Sequence, residues 1–242
     1  MPYVLGLLIG SFLNVCIYRI PRKESIIITP SHCIFCNNKI KWYDLIPIIS
    51  YLILRGRCRI CHSKISIIYP IIELTNMIAY GVIWHYLGYS VNMIIGCTLF
   101  SSLLVISIID IKYYIIPNGL IMFLLILGII YSIITKQLLY GFWGFIIGSI
   151  PLILLYVIAN NKIGGGDIKL LAVAGWFIGW KNVLLSLFIA SFIGSIISII
   201  LILIKLHSRK DKIPFAPYLS LGIIIAFFYG EKLIIWYYNL FL

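Results

Sequence analysis

Acidic residues are scarce in this chain. Seven Asp and Glu stand among 242 residues, against 19 Lys and Arg, and charged residues of both signs make up 11%. Soluble domains carry about 25% charged and about 45–50% apolar residues. Here 62% of residues are hydrophobic and the mean hydropathy is +1.10, which excludes an ordinary soluble enzyme. A basic n-region and a small-residue cleavage site are also missing from the N-terminus, so the first apolar run reads as a retained span rather than a removable signal peptide. No Walker-type lysine and serine pattern accompanies the glycines at 164–166, which argues against a phosphate cradle there. The net charge of +12 would suggest nucleic-acid binding in a soluble protein. In a membrane chain it is the positive-inside bias of cytoplasmic loops, and no nucleic-acid partner is expected.

What is present is a series of apolar runs of spanning length. They fall at about 3–18, 67–88, 92–109, 117–135, 138–159, 168–180, 182–206 and 215–237. The expectation is an all-α polytopic membrane protein of about eight transmembrane helices, with the runs at 3–18 and 168–180 short. Placing the N-terminus outside puts 16 of the 19 basic residues in loops 19–66, 110–116, 160–169 and 205–214; only Lys136, Lys181 and Lys232 fall elsewhere. Those loops are therefore read as cytoplasmic. The organisation expected is a first transmembrane helix at 1–18, a cytoplasmic loop at 19–66 and a transmembrane bundle at 67–242. Pairs of small residues at Gly6 and Gly10, Gly144 and Gly148, and Gly175 and Gly179 allow close helix approach in lipid.

A charge near the bilayer centre costs at least about 2.5–3.5 kcal/mol, so acids in apolar runs are retained for work. Asp110 ends one run and Asp167 interrupts the chain's apolar second half within Gly164-Gly165-Gly166-Asp167-Ile168-Lys169. Both fall on the side assigned to the cytoplasm, which suggests a paired-carboxylate site. Glu73, near the start of the second span, has two readings: a helix N-terminal carboxylate favoured by the macrodipole, or an acid that contacts a cationic substrate group. Lys169 reads as an interfacial anchor.

The loop at 19–66 carries Cys33-Ile34-Phe35-Cys36 and Cys58-Arg59-Ile60-Cys61, two C-x-x-C pairs separated by 21 residues. Four thiolates at this spacing suit tetrahedral Zn²⁺ in a closed, structural site. A disulfide framework is the competing reading, disfavoured on a reducing side of the membrane. His32 and His62 flank the knuckles and could replace a thiolate. Gly56 sits where a tight turn is needed. Arg55, Arg57 and Arg59 are expected to face anionic head groups, and Cys16 and Cys97 to pack within spans.

These motifs, in this order, resemble the type IV prepilin peptidases. The resemblance runs through Gly10-Ser11-Phe12-Leu13-Asn14-Val15, Tyr18-Arg19-Ile20-Pro21, Ser25-Ile26 and Pro30, then both cysteine pairs with Trp42-Tyr43-Asp44 and Ile46-Pro47 between them. It continues through Tyr69-Pro70 and Glu73-Leu74, Asp110 with Pro117-Asn118, Gly164 to Leu170, and Pro214-Phe215-Ala216-Pro217. Two positions depart from the family pattern: Lys112 and Asn118 stand where acids are often found. The resemblance implies a GxGD-type aspartyl protease, with Asp110 and Asp167 as the catalytic pair and Gly164 and Gly166 shaping the loop. It implies cleavage of the basic leader of prepilins and pseudopilins in a bacterial cytoplasmic membrane, for type IV pili or type II secretion. It also implies N-methylation of the new N-terminus from S-adenosylmethionine, for which Glu73 and Gly56 are candidates. A proton-relay transporter and a zinc-loop scaffold are the rival readings of the residues alone.

Overall fold

The structure, a computed structural model, describes residues 1–27, 30–158, 164–206 and 212–241. Lys162, Arg209 and Lys210, counted among the loop cations above, lie outside the described residues. The chain forms two compact units, Met1–Ser101 and Ser102–Leu242. Among the described residues, regular structure is entirely helical, with two isolated β-bridges.

In the first unit, α1 (Pro2–Arg19) packs against α3 (Ile68–Leu87), with the cysteine loop and its short helix α2 (Ile49–Ile53) between them in sequence. The α1–α3 approach is set by small residues. A Cβ on Gly6 would lie 2.8 Å from Met77 Cα, and one on Gly10 would lie 2.8 Å from Glu73 Cα. The two glycines therefore seat one helix on the backbone of the other, and dispersion between closely packed backbones holds them in lipid. Polar groups at this seam are satisfied internally, as a dry interior requires. Asn76 Nδ2 donates to Gly6 O at 2.8 Å, Ser101 Oγ donates to Asn76 Oδ1 at 2.9 Å, and the Tyr80 hydroxyl lies 3.0 Å from Ser101 Oγ. The buried Arg19 guanidinium donates to Ser25 O and Pro30 O, each at 3.1 Å, and so folds the chain back where it leaves α1.

The division between units falls inside α4 (Val91–Tyr113). The second unit contains the end of α4 with α5 (Asn118–Ile134), α6 (Leu138–Ile158), α7 (Gly165–Leu203) and α8 (Ala216–Phe241). Helices α6 and α7 meet at Gly144 and Gly175, where a Cβ on either would overlap the other's backbone carbonyl. Gly148 continues the seam, 3.0 Å from Leu171 O by the same measure. The 39 residues of α7 are two helices joined at Gly179, whose φ of 71° and ψ of 176° only glycine adopts readily. The ring of Tyr140 fills the space a side chain would need there. That break corresponds to the boundary expected between the runs at 168–180 and 182–206.

Five described helices are long and apolar enough to cross a membrane: Pro2–Arg22, Val91–Tyr113, Leu138–Ile158, Gly165–Leu203 and Ala216–Leu240. Of the remaining runs in the expected eight, α5 is apolar but shorter, at 17 residues, and α3 carries Glu73, Asn76 and His85 within its 20.

The glycine seam generates a stability prediction. Gly144→Ala or Gly175→Ala forces the α6 and α7 backbones apart, and overpacking of this kind costs about 1–3 kcal/mol. A Cβ at Gly119 meets nothing within 4 Å. Thermal unfolding in detergent is expected to show a lowered midpoint for the first two variants and no loss for Gly119→Ala.

Candidate active site and metal centre

Asp110 lies in the last turn of α4 and is 7% exposed. Its Oδ2 accepts a hydrogen bond from the backbone N–H of Ala216 at 3.1 Å. Ala216 is the first residue of α8, and the next residue, Pro217, has no N–H. The carboxylate of one helix thus caps the positive end of another, satisfying a donor that the helix itself leaves orphaned. The sequence reading found Asp110 by its isolation but missed Ala216. The signal available was Pro214 and Pro217 bracketing a helix start.

Asp167 lies in the first turn of α7, where the same dipole favours a negative group. Its Oδ2 faces Gly164: a Cβ there would come within 2.9 Å of that oxygen. Its Oδ1 is buried and has no hydrogen-bond partner among the described residues. The two aspartates, far apart in sequence, interact electrostatically. They stand at the N-termini of two helices of the same unit, one carboxylate engaged as a cap and the other with an oxygen free for a ligand.

The glycines ahead of Asp167 have distinct neighbours. Gly164 leaves room for the aspartate's own carboxylate, whereas a Cβ on Gly166 would lie 2.9 Å from Ile116 Cβ, in the connection before α5. Gly165 meets nothing within 4 Å. Lys169 Nζ donates to Asn118 Oδ1 at 3.1 Å and joins the first turns of α7 and α5. At that pairing Asn118 supplies a neutral acceptor.

In the first unit the four cysteines Cys33, Cys36, Cys58 and Cys61 converge, with all Sγ atoms within 4.8 Å of one another. Each C-x-x-C is the same turn made twice. Cys33 N donates to Asn38 O at 3.0 Å and Asn37 N to Cys33 O at 2.9 Å. Cys58 N donates to Ser63 O at 2.9 Å and His62 N to Cys58 O at 3.1 Å. Asn37 and His62 hold equivalent positive φ values of 55° and 56°, so His62 serves as a turn residue. The His32 ring lies 3.2 Å from Pro30 O. All four cysteines are unpaired in this structure, and their convergence as a set of four fits the metal reading better than the disulfide one. Tetrahedral Zn–S bonds of ≈ 2.3 Å imply S···S separations of about 3.8 Å, and Cys33 Sγ and Cys61 Sγ lie 3.8 Å apart. The donor set fits a closed structural zinc site with no open position.

Burial works against ionisation of the Cys33 thiol. The N–H groups of Cys36 and Phe35 and the Ser63 hydroxyl outweigh it, and hold the thiol down at about 6. Arg59 departs from the expected head-group role. It grips Asp44 through Nε and Nη2, at distances of 2.9 and 2.6 Å, and its guanidinium lies over Tyr43, pinning the second knuckle to the segment between the two.

Gly56 has φ +65°, and a Cβ there would lie 2.9 Å from the Tyr51 hydroxyl. Its N–H donates to Tyr51 O and its carbonyl accepts from Ile65 N, so it is held inside the turn. Glu73 is 7% exposed, and its Oε2 accepts from Ile48 N at 2.8 Å.

Two outcomes follow for the metal centre. Metal analysis of the purified chain is expected to find one zinc per chain, and to find it lost from Cys58→Ser. In metal-stripped protein, alkylation of Cys33 is expected to persist down to a midpoint near pH 6 and to fail below it, as the thiolate takes up its proton. A midpoint near the ordinary thiol value of about 8.5 would contradict the hydrogen-bonding account.

Residues 4–87 match the family described as the bacterial peptidase A24 N-terminal domain, and residues 97–199 match the type IV leader peptidase family. The first match contains the four cysteines, Gly56 and Glu73; the second contains both aspartates. A protein of Bacillus subtilis (strain 168) named prepilin leader peptidase/N-methyltransferase is 32% identical over 237 residues, covering 97% of this chain and 96% of the relative. Proteins of the same name from Pseudomonas putida and Pseudomonas aeruginosa are 31% and 30% identical, each covering 95% of this chain and 90% of the relative. No solved structure matches this chain. With two family matches in series and relatives aligned over almost its entire length, the chain belongs to the type IV leader peptidase family.

Proposed function

We propose that this chain is a prepilin leader peptidase, with Asp110 and Asp167 as its catalytic pair, and that it also N-methylates the product. The observation that carries the reading is the pairing itself: two of only seven acids interact across the second unit, and one retains an unpartnered buried oxygen. Two carboxyl groups brought to one site resist joint ionisation and share a proton. The ionised member takes a proton from water, and the protonated member donates a hydrogen bond to the scissile carbonyl. The resulting tetrahedral centre collapses as the leaving amine is protonated, giving a leader carboxylate and a new N-terminal amine. The pair titrates as a unit, so the base belongs to the dyad. Gly164 and Gly166 keep this end of the unit narrow in side chain, which suits an extended peptide backbone.

The substrates proposed are prepilins and pseudopilins, whose basic leader precedes an apolar segment. The basic loops support a multi-pass placement in the bacterial cytoplasmic membrane with the N-terminus outside and the cysteine loop cytoplasmic. Both aspartates then face the side from which the leader is presented. The relatives' name includes N-methyltransferase, and S-adenosylmethionine supplies the methyl group in that reaction. The cysteine cluster would hold zinc, which fixes the loop's fold and supplies no reactive position.

Purified chain incubated with a synthetic prepilin tests the pair. Asp110→Asn and Asp167→Asn, as separate variants, are each expected to lower cleavage by a factor on the order of 10²–10⁴, with the protein still membrane-inserted. Full cleavage by either variant would refute the assignment.

A further inference from the structure

Glu73 makes a contact that its position in the sequence does not suggest. Its carboxylate turns toward the loop, where Oε2 accepts the N–H of Ile48 at 2.8 Å. That partner is a neutral backbone donor. Gly10 clears the space, since a Cβ there would lie 2.8 Å from Glu73 Cα. Glu73 is five residues into α3, roughly 7.5 Å along the helix from its start at Ile68. The middle of the 21-residue inter-cysteine segment is therefore drawn down along the helix.

The backbone that it grips is strained. Ile48 has φ 61° and ψ −51°, and Ile49 N donates to Pro47 O at 2.6 Å. This is a γ-turn of the rare positive-φ kind, at a β-branched residue for which that region is unfavourable. Such a conformation persists only where the surroundings over-determine it. Pro47, immediately before it, is buried, and Ile48 O accepts from Leu52 N to begin α2. The turn directs the Ile48 N–H away from α2 and at the Glu73 carboxylate.

We propose that Glu73 is a positioning residue: its carboxylate clasps the strained Pro47–Ile49 turn and fixes the cysteine loop on α1 and α3 in the placement that methyl transfer requires. This rests on the two-activity reading above. The clasp and the cysteine cluster lie in the first unit and both aspartates in the second; the clasp is assigned to transfer and cleavage to the dyad. Only an acceptor oxygen is required of residue 73, and the strain at Ile48 is what the acceptor offsets.

The test uses the full chain in nanodiscs with a synthetic prepilin and S-adenosylmethionine. Cleavage, methylation, zinc content and hydrogen exchange over residues 44–54 are measured for Glu73→Gln, Glu73→Ala and Glu73→Ala with Ile48→Gly. Glu73→Ala is expected to raise exchange over 44–54 and to cut methylation about tenfold, with cleavage and zinc unchanged. Glu73→Gln keeps an acceptor and is expected to retain both methylation and protection. Ile48→Gly relieves the strain and is expected to recover methylation in the Glu73→Ala background, which a general packing defect would not allow. Equal loss of cleavage and methylation in Glu73→Ala, a Gln variant as impaired as the Ala variant, or no recovery from Ile48→Gly would overturn the proposal. Absence of methylation by the unmodified chain would overturn the two-activity reading and the link to transfer, while unchanged exchange in Glu73→Ala would overturn the clasp itself.

Discussion

A helix start packed against its neighbours leaves backbone donors that need a protein acceptor, and an acid half-buried beside it loses part of the solvation that keeps it charged. The second unit joins these two deficits. Asp110 of α4 accepts the first N–H of α8, and Asp167 sits in the first turn of α7. Each carboxylate is thus held where a helix macrodipole favours negative charge. The arrangement needs no basic side chain, which fits a chain whose described ion pair, Arg59 with Asp44, lies in the loop of the other unit. It also leaves Asp167 Oδ1 without a protein partner among the described residues, a condition a reacting group requires and a structural one avoids.

Glycine does the corresponding work in the packing. Hydrophobic burial does not drive helices together in lipid, so close backbone approach and internal hydrogen bonds must. Gly6 and Gly10 seat α1 on α3 in the first unit, and Gly144 and Gly175 bring α6 and α7 together in the second. The seam at Gly144 and Gly175 leads along α7 to the helix start that carries Asp167, so the frame that holds the acid is set by residues with no side chain.

Local patterns were legible in the sequence. The cysteine spacing was sufficient for the four-thiol cluster because each knuckle is one hydrogen-bonded turn, closed within a few residues. Long apolar runs showed as helices, and the gap between 168–180 and 182–206 became the break at Gly179. Asp110 and Asp167 stood out because acids are so rare in such runs. Contacts between distant residues were not legible. Ala216 as the partner of Asp110 depends on how α4 meets α8, and the Ile48 bond to Glu73 depends on a turn that an isoleucine seldom makes. Arg59 reads as a surface cation until Asp44 and Tyr43 are seen beside it. Gly164 and Gly166 read as loop-shaping, but what they face, the aspartate's own carboxylate and Ile116, was not legible.

The central claim is that both aspartates grip a single tetrahedral centre. The direct measurement is binding of a prepilin peptide whose scissile amide is replaced by a hydroxyethylene unit, which resembles that centre and cannot be cut. The account predicts that the unmodified chain binds it at least about 10²-fold tighter than the parent peptide, and that Asp110→Asn and Asp167→Asn each abolish the gain. An analogue bound no better than the parent, or a gain that survives in either variant, would contradict it.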